Sequence, residues 1–250
     1  MLKIKNLCKT FHKGEPDEKI IFDNFNLEVK GGEFVTIIGG NGAGKSTLMN
    51  LISGSEFPDS GKIFINNEDI TNLPEYKRSK FIGRVFQNPL MGTSPNLTIE
   101  ENLSLAMLKN SKKNLCFAIN KRNTEFFKNK LEQLDLGLEN RMKTKICLLS
   151  GGQRQAVTLL MATLVKPKIL LLDEHTAALD PKSRIKILEL TKKITNNGEI
   201  ITLMITHDIE NALSFGNRTI MLSKGSVALD LNADNRENID MNTLNLWKPN

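Results

Sequence analysis

GGNGAGKST, residues 39–47, decides the fold class, because it lies between an apolar run, EFVTIIG, and a helix-like stretch, STLMNLISG. The glycines let successive backbone N–H groups turn toward one anion at the N-terminus of the following helix. In this spacing Lys45 adds positive charge at the β- and γ-phosphates, and the Ser46 hydroxyl can ligate Mg²⁺. The stretch therefore predicts a nucleotide-phosphate loop between a strand and a helix. The alternative is a glycine-rich turn that only caps a helix.

The strand-like segments around this loop are of two kinds. FNLEV, residues 25–29, alternates apolar and polar residues as a half-buried strand does, whereas EFVTIIG and KILLLDE are continuous apolar runs typical of central parallel strands. Helix-like stretches follow both runs. The second has Asp180 as N-cap, Pro181 at its first position and Gly198 near its end. This alternation predicts an α/β fold.

Between about residues 88 and 165 the pattern becomes mostly helical. Thr98 and Glu101 form a capping box that opens IEENLSLAML, and Pro167 stops the helix of GGQRQAVTLLMATLVK. We therefore expect one domain with a helical insert, followed by a weakly patterned polar tail. The predicted boundaries are 1–230 for the domain, 1–87 and 166–230 for its core, 88–165 for the insert and 231–250 for the tail.

Composition narrows the functional classes. The chain has 250 residues, 40% apolar and 25% charged, and its longest apolar runs, ILLL and IITLMI, are too short to cross a bilayer. The N-terminus shows no secretory signal, so we expect a cytosolic chain. Cys8, Cys116 and Cys147 are odd in number and scattered, which disfavours a disulfide framework or a zinc site.

The charge is moderately basic. The net charge is +6, from 34 Lys and Arg against 28 Asp and Glu, and Lys-rich segments lie between residues 109 and 130. We predict no nucleic-acid partner, because no aromatic residues interleave with a basic stripe. Lys-rich helix faces near an anionic membrane surface explain the charge as well, and so does a general Lys- and Asn-rich composition.

Four further residues follow or end predicted strands, where α/β sheets bind ligands. KILLLDEH places Asp173 where it can hold Mg²⁺, and Glu174 where it can accept a proton from, or orient, an attacking water. His207 follows IITLMIT and can hydrogen-bond a γ-phosphate, and Gln87 ends FIGRVFQ, where it can sense metal or water. Each alone is also explained as an ordinary strand-end residue. The phosphate loop favours the functional interpretation.

The order of these motifs resembles that of the nucleotide-binding subunits of ATP-binding cassette (ABC) transporters, over about residues 2–229. The matching motifs are GGNGAGKST (Walker A), Gln87 (Q-loop), LSGGQ at 149–153 (signature), ILLLDE (Walker B), AALD at 177–180 (D-loop) and His207 (switch histidine). Six short motifs in this order are far more specific than any one of them. The resemblance implies a P-loop NTPase (RecA-like) core with a mixed sheet, an antiparallel β N-terminal subdomain and an inserted α-helical subdomain.

The resemblance also implies ATP and Mg²⁺ as cofactors. Glu174, His207, Gln87 and Lys45 would be catalytic, and the metal would be held by Ser46, Gln87 and Asp173. Phe11 would stack on adenine, which gives affinity with little base discrimination; alternatively, Phe11 belongs to the core. The residues that would bind nucleotide are Phe11, Gly39, Asn41, Gly42, Ala43, Gly44, Lys45, Ser46, Thr47, Ser150, Gly151, Gly152, Gln153 and Asp180.

The LSGGQ signature implies a second subunit. In such ATPases two cassettes pack head to tail, so that the signature of one covers the γ-phosphate held by the Walker A loop of the other. Ser150 is a good N-cap, Gly151 and Gly152 allow close backbone approach, and the following helix points its positive end at the phosphate. An ordinary helix start explains Ser150 but not two adjacent glycines.

One segment departs from the family pattern. Where Pro-Thr-Ser commonly follows the Walker B glutamate, this chain has His175, Thr176 and Ala177. Glu174 is retained, so the chemistry is not lost. His175 could change either the pH dependence of the site or the rigidity of the loop, and the sequence leaves both explanations open.

The resemblance implies an ATPase subunit that drives a membrane transporter from the cytoplasmic face, with permease subunits and a substrate-binding protein as partners. DEHTAALDP and FQNPLMGTSPNLTIEENL resemble a bacterial importer group, some members of which are linked to aromatic amino-acid uptake. An exporter ATPase is one alternative. A soluble ABC ATPase of the iron–sulfur assembly type is another, although that type typically departs after LSGG, where this chain has Gln153.

Overall fold

The computed structural model describes residues 1–110, 121–196 and 198–236. Cys116 and the part of the predicted tail beyond residue 236 therefore lie outside the described residues. The strands are β1 Leu2–Phe11, β2 Lys19–Val29, β3 Phe34–Gly39, β4 Ser60–Ile65, β5 Glu68–Asp69, β6 Ile82–Val85, β7 Ile169–Asp173, β8 Ile201–Ile205, β9 Arg218–Ser223 and β10 Ser226–Asn232. The helices are α1 Lys45–Ser53, α2 Glu75–Arg78, α3 Ile99–Met107, α4 Lys121–Glu132, α5 Gly151–Thr163, α6 Pro181–Thr195, α7 Ile209–Ser214 and α8 Ala233–Arg236.

The chain divides into two compact units. The first unit comprises Met1–Ile82 and Asn197–Asn250, and the second comprises Gly83–Asn196. The division of the sequence into a core and a helical insert, with boundaries at residues 88 and 165, remains a prediction.

A mixed sheet carries the glycine-rich loop in the first unit. Its strands lie in the order β10-β9-β3-β8, with β3 parallel to both of its neighbours and β10 antiparallel to β9. All six residues of β3 are buried, as the continuous apolar run predicts for a strand covered on both faces. The predicted α/β class with a mixed sheet is confirmed.

An antiparallel sheet, in the order β2-β1-β4-β5, belongs to the same unit. In β2 the side chains of Phe25, Leu27 and Val29 are buried and those between them are exposed, so the predicted alternation of FNLEV is confirmed. The pairing of β1 with β2 extends to Phe11 and Lys19. This register places both residues at one end of the sheet.

A buried arginine holds the C-terminal end of α1. The Arg78 guanidinium donates hydrogen bonds to the Leu51 and Ile52 carbonyls of α1 and to the carbonyls of Thr71 and Leu73. Burial lowers the pKa of Arg78 to about 10, so the group stays charged at neutral pH. A cation here satisfies helix carbonyls that lack a partner within the helix. Arg78 therefore anchors the helix that begins at the glycine-rich loop.

The second unit contains the neighbouring strands β6 and β7 and the helices α3 to α6. Thr98 and Glu101 form the predicted capping box of α3, and Asp180 caps α6, in which Pro181 is the first residue, also as predicted. Helix α5 ends at Thr163, shortly before the predicted stop. Within the described ranges, no helix is long and apolar enough to cross a membrane.

Candidate nucleotide site

The glycine-rich loop runs from the end of β3 to the start of α1. Gly44, the N-cap residue of α1, has a φ of 101°, in the left-handed region that favours glycine. A Cβ atom at this position would lie only 2.8 Å from Cζ of Phe22. Both the backbone conformation and the neighbouring ring therefore require glycine where the chain turns into α1.

The N-terminus of α1 is suited to an anion. Gly44 has no side chain to cap the first turn, and that turn contains no acidic residue. By contrast, α3, α5, α6 and α7 are capped by the side chains of Thr98, Ser150, Asp180 and Asp208. A helix start that lacks a side-chain cap can direct its positive end at an external phosphate.

Lys45 is almost fully buried, and its ammonium reaches back over the loop. Its Nζ donates hydrogen bonds to the carbonyl oxygens of Gly39, at 2.7 Å, and Gly40, at 3.0 Å. These bonds hold a positive charge beside the uncapped helix start. The arrangement fits the phosphates of a nucleotide, because anions form their strongest hydrogen bonds with charged donors.

His207 lies at the same edge of the sheet as the loop. In the parallel pair of β3 and β8, Ile37 is opposite Ile205, and the Thr206 N–H donates to the Ile37 carbonyl at 3.2 Å. Gly39 and His207 each lie two residues beyond this pair, so the two strands deliver them to one edge. His207 is exposed there, in the turn before α7.

Phe11 and Lys19 are paired at the end of β1 and β2. The Phe11 ring is half-buried, and Nζ of Lys9 lies 4.8 Å from its centre. A Cβ atom at Gly42 would lie 3.5 Å from Nζ of Lys19, so this exposed ammonium lies beside the phosphate loop. The strand pairing thus connects Phe11 to the loop. Nothing in the sequence around Lys19 indicates this position, because it depends on strand register across the connection between β1 and β2.

We expect Lys19→Ala to weaken ATP binding about two- to fivefold, the range typical of an exposed charge contact. The difference should shrink as salt rises, since ions screen exposed charges. Titration with a fluorescent ATP analogue at low and high salt measures both effects. Lys13→Ala, which removes an exposed lysine from the same connection, is the matched control. Equal affinities for the two variants would exclude a phosphate contact by Lys19.

Asp173 is the last residue of β7, and Glu174 follows it. Arg84 of the neighbouring β6 lies beside Asp173, with Nη2 3.5 Å from Oδ2, and both side chains are mostly buried. The Arg84 guanidinium also lies over the Phe86 ring, 4.5 Å from its centre. Gln87, two residues beyond β6, is exposed. The ion pair of Asp173 with Arg84 was not foreseen from the sequence.

The predicted metal ligands fit Mg²⁺ chemically. Ser46 offers a hydroxyl, Asp173 a carboxylate and Gln87 an amide oxygen, and Mg²⁺ prefers such hard oxygen donors. Ser46 and Gln87 are exposed. This exposure suits a metal that usually keeps several water ligands.

The signature segment forms a capped helix start. The Ser150 hydroxyl accepts a hydrogen bond from the Gln153 N–H, and the Gln153 side chain accepts one from the Ser150 N–H. The Arg154 guanidinium fastens the preceding segment, because it donates to three of its carbonyl groups. Those carbonyls belong to Ile146, Cys147 and Leu149. This role of Arg154 was not predicted from the sequence.

Gly152 lies against a neighbouring helix. A Cβ atom at this position would lie 2.5 Å from Oγ of Ser183, so α5 and α6 are in contact near their N-termini. Asp180 accepts a hydrogen bond from the Ser183 N–H at 3.0 Å, and hydrogen bonds from Ser183 hold the pKa of Asp180 below its usual value. Gly152 is therefore required by packing within the chain, in addition to the predicted approach of a nucleotide.

The predicted residues thus fall into three groups. In the first unit, the Walker A loop lies with His207 at one sheet edge and is connected to Phe11 through Lys19. In the second unit, Asp173, Glu174 and Gln87 follow or end neighbouring strands. The signature and Asp180 lie at the contacting starts of α5 and α6. The catalytic and binding roles of these residues remain predictions.

Comparison with known proteins identifies the family. A family model described as ABC transporter matches residues 22–177. The tyrosine transport ATP-binding protein of Clostridioides difficile (strain R20291) is 48% identical over 241 residues, which are 96% of this chain and 95% of the relative. The sulfate/thiosulfate import ATP-binding protein CysA 2 of Agrobacterium fabrum (strain C58 / ATCC 33970) is 35% identical over 226 residues, 90% of this chain and 62% of that relative.

A solved structure is similar over the same extent. It is a dimeric ATP-binding cassette in a post-hydrolysis state bound to ADP and Pi, with a TM-score of 0.80 and 34% identity over 93% of this chain and 99% of that one. The fold and the loop therefore define a P-loop ATPase. The chain belongs to the ABC transporter family, and within it to the ATP-binding proteins that hydrolyse ATP.

Proposed function

We propose that this chain is the ATPase subunit of an importer for a small solute, and that the solute is an amino acid. The observation that carries this proposal is the 48% identity to a tyrosine transport ATP-binding protein, over nearly the full length of both chains. Import is favoured over export because another relative is an import ATP-binding protein. The chain would work as a head-to-tail homodimer bound to permease subunits at the cytoplasmic face of the membrane, with a substrate-binding protein as a further partner.

We propose a division of labour at each ATP that follows the motifs of the sequence. Phe11 would stack on adenine, the uncapped start of α1 and Lys45 would bind the phosphates, and Glu174 would accept a proton from the attacking water. His207 would hydrogen-bond the γ-phosphate from the same sheet edge. Mg²⁺ would be held by Ser46, Asp173 and Gln87 and would neutralise charge on the β- and γ-phosphates.

Uptake by the native complex tests the proposed substrate. A tagged chain is used to capture the transporter from its own membranes, and the captured complex is reconstituted into proteoliposomes. We expect ATP-dependent accumulation of labelled tyrosine and none with the Glu174→Gln subunit. Accumulation of sulfate instead of an amino acid would contradict the substrate, ATP-driven efflux would favour the exporter alternative, and the absence of any membrane subunit would favour a soluble ATPase.

The permease contact is proposed for residues 87–102, which leave β6 and enter α3. Met91 is 69% exposed and Leu90 is also exposed, as is Leu105 further along α3, so apolar side chains lie at the surface of and next to this segment. A cavity of about 340 Å³ opens within the second unit at this segment. Its lining includes Arg84, Met91, Asn102, Leu105, Lys109 and Met161. Adaptable methionines beside leucine suit the apolar face of an amphipathic helix, and we propose that a cytoplasmic helix of the permease occupies the cavity.

Met91→Asp should abolish capture of the permease and ATP-driven uptake while leaving basal ATP hydrolysis unchanged. The reason is that a carboxylate buried against an apolar helix loses its hydration without gaining a partner. Tyr76→Asp is the matched control, because Tyr76 is 72% exposed and is not part of residues 87–102. Capture of the permease by both variants alike would show that residue 91 lies outside the interface.

A further inference from the structure

His175, which stands where the family commonly has proline, is buried beside Glu174. Only 2% of the residue is accessible, and its Nε2 lies 3.1 Å from Oγ1 of Thr191 in α6. The Thr191 hydroxyl donates its own proton to the Ile187 carbonyl at 2.8 Å, so it can only accept from the histidine. His175 is therefore the donor, as an Nε2–H tautomer. Burial lowers the pKa of His175 to about 4, in keeping with a neutral ring.

Glu174 has an unusual backbone conformation. Its φ is 45°, in the left-handed region, although the residue is not a glycine. Non-glycine residues are uncommon there and persist where the surrounding structure holds them. The Ala177 N–H donates to the Glu174 carbonyl at 3.0 Å, which closes a turn immediately after the strand. The side chain that leaves this turn toward the protein interior is that of His175.

We propose that His175 is a positioning residue for Glu174, acting through its hydrogen bond to Thr191. The bond fastens residue 175 to α6 and thereby keeps residue 174 in the left-handed conformation that aims its carboxylate from the end of β7. A proline would restrict this loop through its ring, whereas here a side-chain hydrogen bond does so. The inference rests on the proposed catalytic role of Glu174. The sequence left two effects of His175 open, a change in pH dependence and a change in loop rigidity. The proposed role is the second.

Matched substitutions separate this role from simple filling of the core. His175→Phe keeps a ring but has no donor, Thr191→Val keeps the shape but has no acceptor, and His175→Gln offers a donor at a similar reach. We expect the first two variants to lower kcat on the order of ten- to hundredfold, as a misplaced catalytic group does. The Kd for ATP should change less than about twofold in the same variants, since the phosphate loop is untouched. His175→Gln should recover part of kcat.

A double variant tests whether both residues act through one bond. His175→Phe with Thr191→Val should be no slower than the worse single variant, since both remove the same interaction. Unchanged kcat in the folded single variants, or losses that multiply in the double variant, would overturn the proposal. In the Glu174→Gln background His175→Phe should add nothing. If Glu174→Gln hydrolyses ATP like the wild type, the proposed catalytic role of Glu174 is wrong. This outcome is distinct from a failure of the positioning role of His175.

The wild-type protein gives a direct readout of the hydrogen bond itself. Nitrogen-15 NMR of labelled histidine at pH 7.5 should show His175 as a neutral Nε2–H tautomer whose proton exchanges slowly with solvent. Its resonance is assigned by comparison with a protein in which His175 is replaced by Gln. An Nδ1–H tautomer or a rapidly exchanging Nε2 proton would contradict the hydrogen bond on which the proposal stands.

Discussion

Glu174→Gln should slow ATP hydrolysis about 10²- to 10⁴-fold, the usual contribution of a general base, while ATP still binds. Glutamine keeps the size and hydrogen bonding of the side chain but has no basic carboxylate, so the attacking water is no longer activated. The loop that is proposed to hold the phosphates is unchanged. Bound ATP is then not consumed, and the closed dimer should accumulate.

Two measurements check this result. Phosphate release gives the rate of hydrolysis, and size-exclusion chromatography with light scattering gives the mass with ATP and with ADP. Glu189→Gln, an exposed glutamate of α6, is the matched control and should behave as the wild type. A Glu174→Gln protein that hydrolyses ATP at the wild-type rate would exclude Glu174 from catalysis.

Local signals predicted the parts of the fold that depend on near neighbours in sequence. Thr98 caps α3 and Ser150 caps α5 because the hydroxyl of an N-cap residue reaches the N–H three residues on through local geometry alone. The burial of all of β3 agrees with its short continuous run of apolar residues, which is typical of a strand covered on both faces. The order of the motifs along the chain indicated the class of protein, which the local signals alone do not.

Contacts between distant segments could not be predicted in the same way. Arg84 meets Asp173 because β6 and β7 are neighbours, and nothing near either residue encodes that adjacency. Lys19 reaches the phosphate loop through the register of two strands, and Gly152 is required by a serine on another helix. The transported solute could not be predicted from motifs in this chain either, since the solute would contact the permease and the binding protein.

The proposal that two subunits complete each ATP site together is tested by mixing two defective proteins, Lys45→Ala and Ser150→Arg. The first lacks its own phosphate clamp, and the second presents a bulky cation to its partner's ATP. Each homodimer has two damaged sites. In a head-to-tail mixed dimer, one site combines both defects, and the other has an intact Lys45 and an intact Ser150. The mixture should therefore close with ATP although neither protein does so alone.

The experiment requires a stable closed state and two distinguishable subunits. Both proteins also carry Glu174→Gln so that ATP persists, and they carry different affinity tags. Closure is measured as ATP-dependent capture of one tag with the other. Because the Ser150→Arg substitution also removes the cap of α5, Thr98→Ala, which removes the cap of α3, controls for a general loss of about 1 kcal/mol of stability.

We expect the mixed pair to be captured at least about tenfold more than either protein with itself, since one charge-assisted contact contributes about 1.5–3 kcal/mol. Differently tagged copies of the same variant give the baseline, and the Thr98→Ala protein should close normally. The reason for the stronger capture is geometric. Only a site formed by two subunits becomes intact when the two substitutions are on different subunits. If each site were complete within one chain, every subunit of the mixture would stay damaged by its own substitution, and the mixed pair would close no better than the baseline.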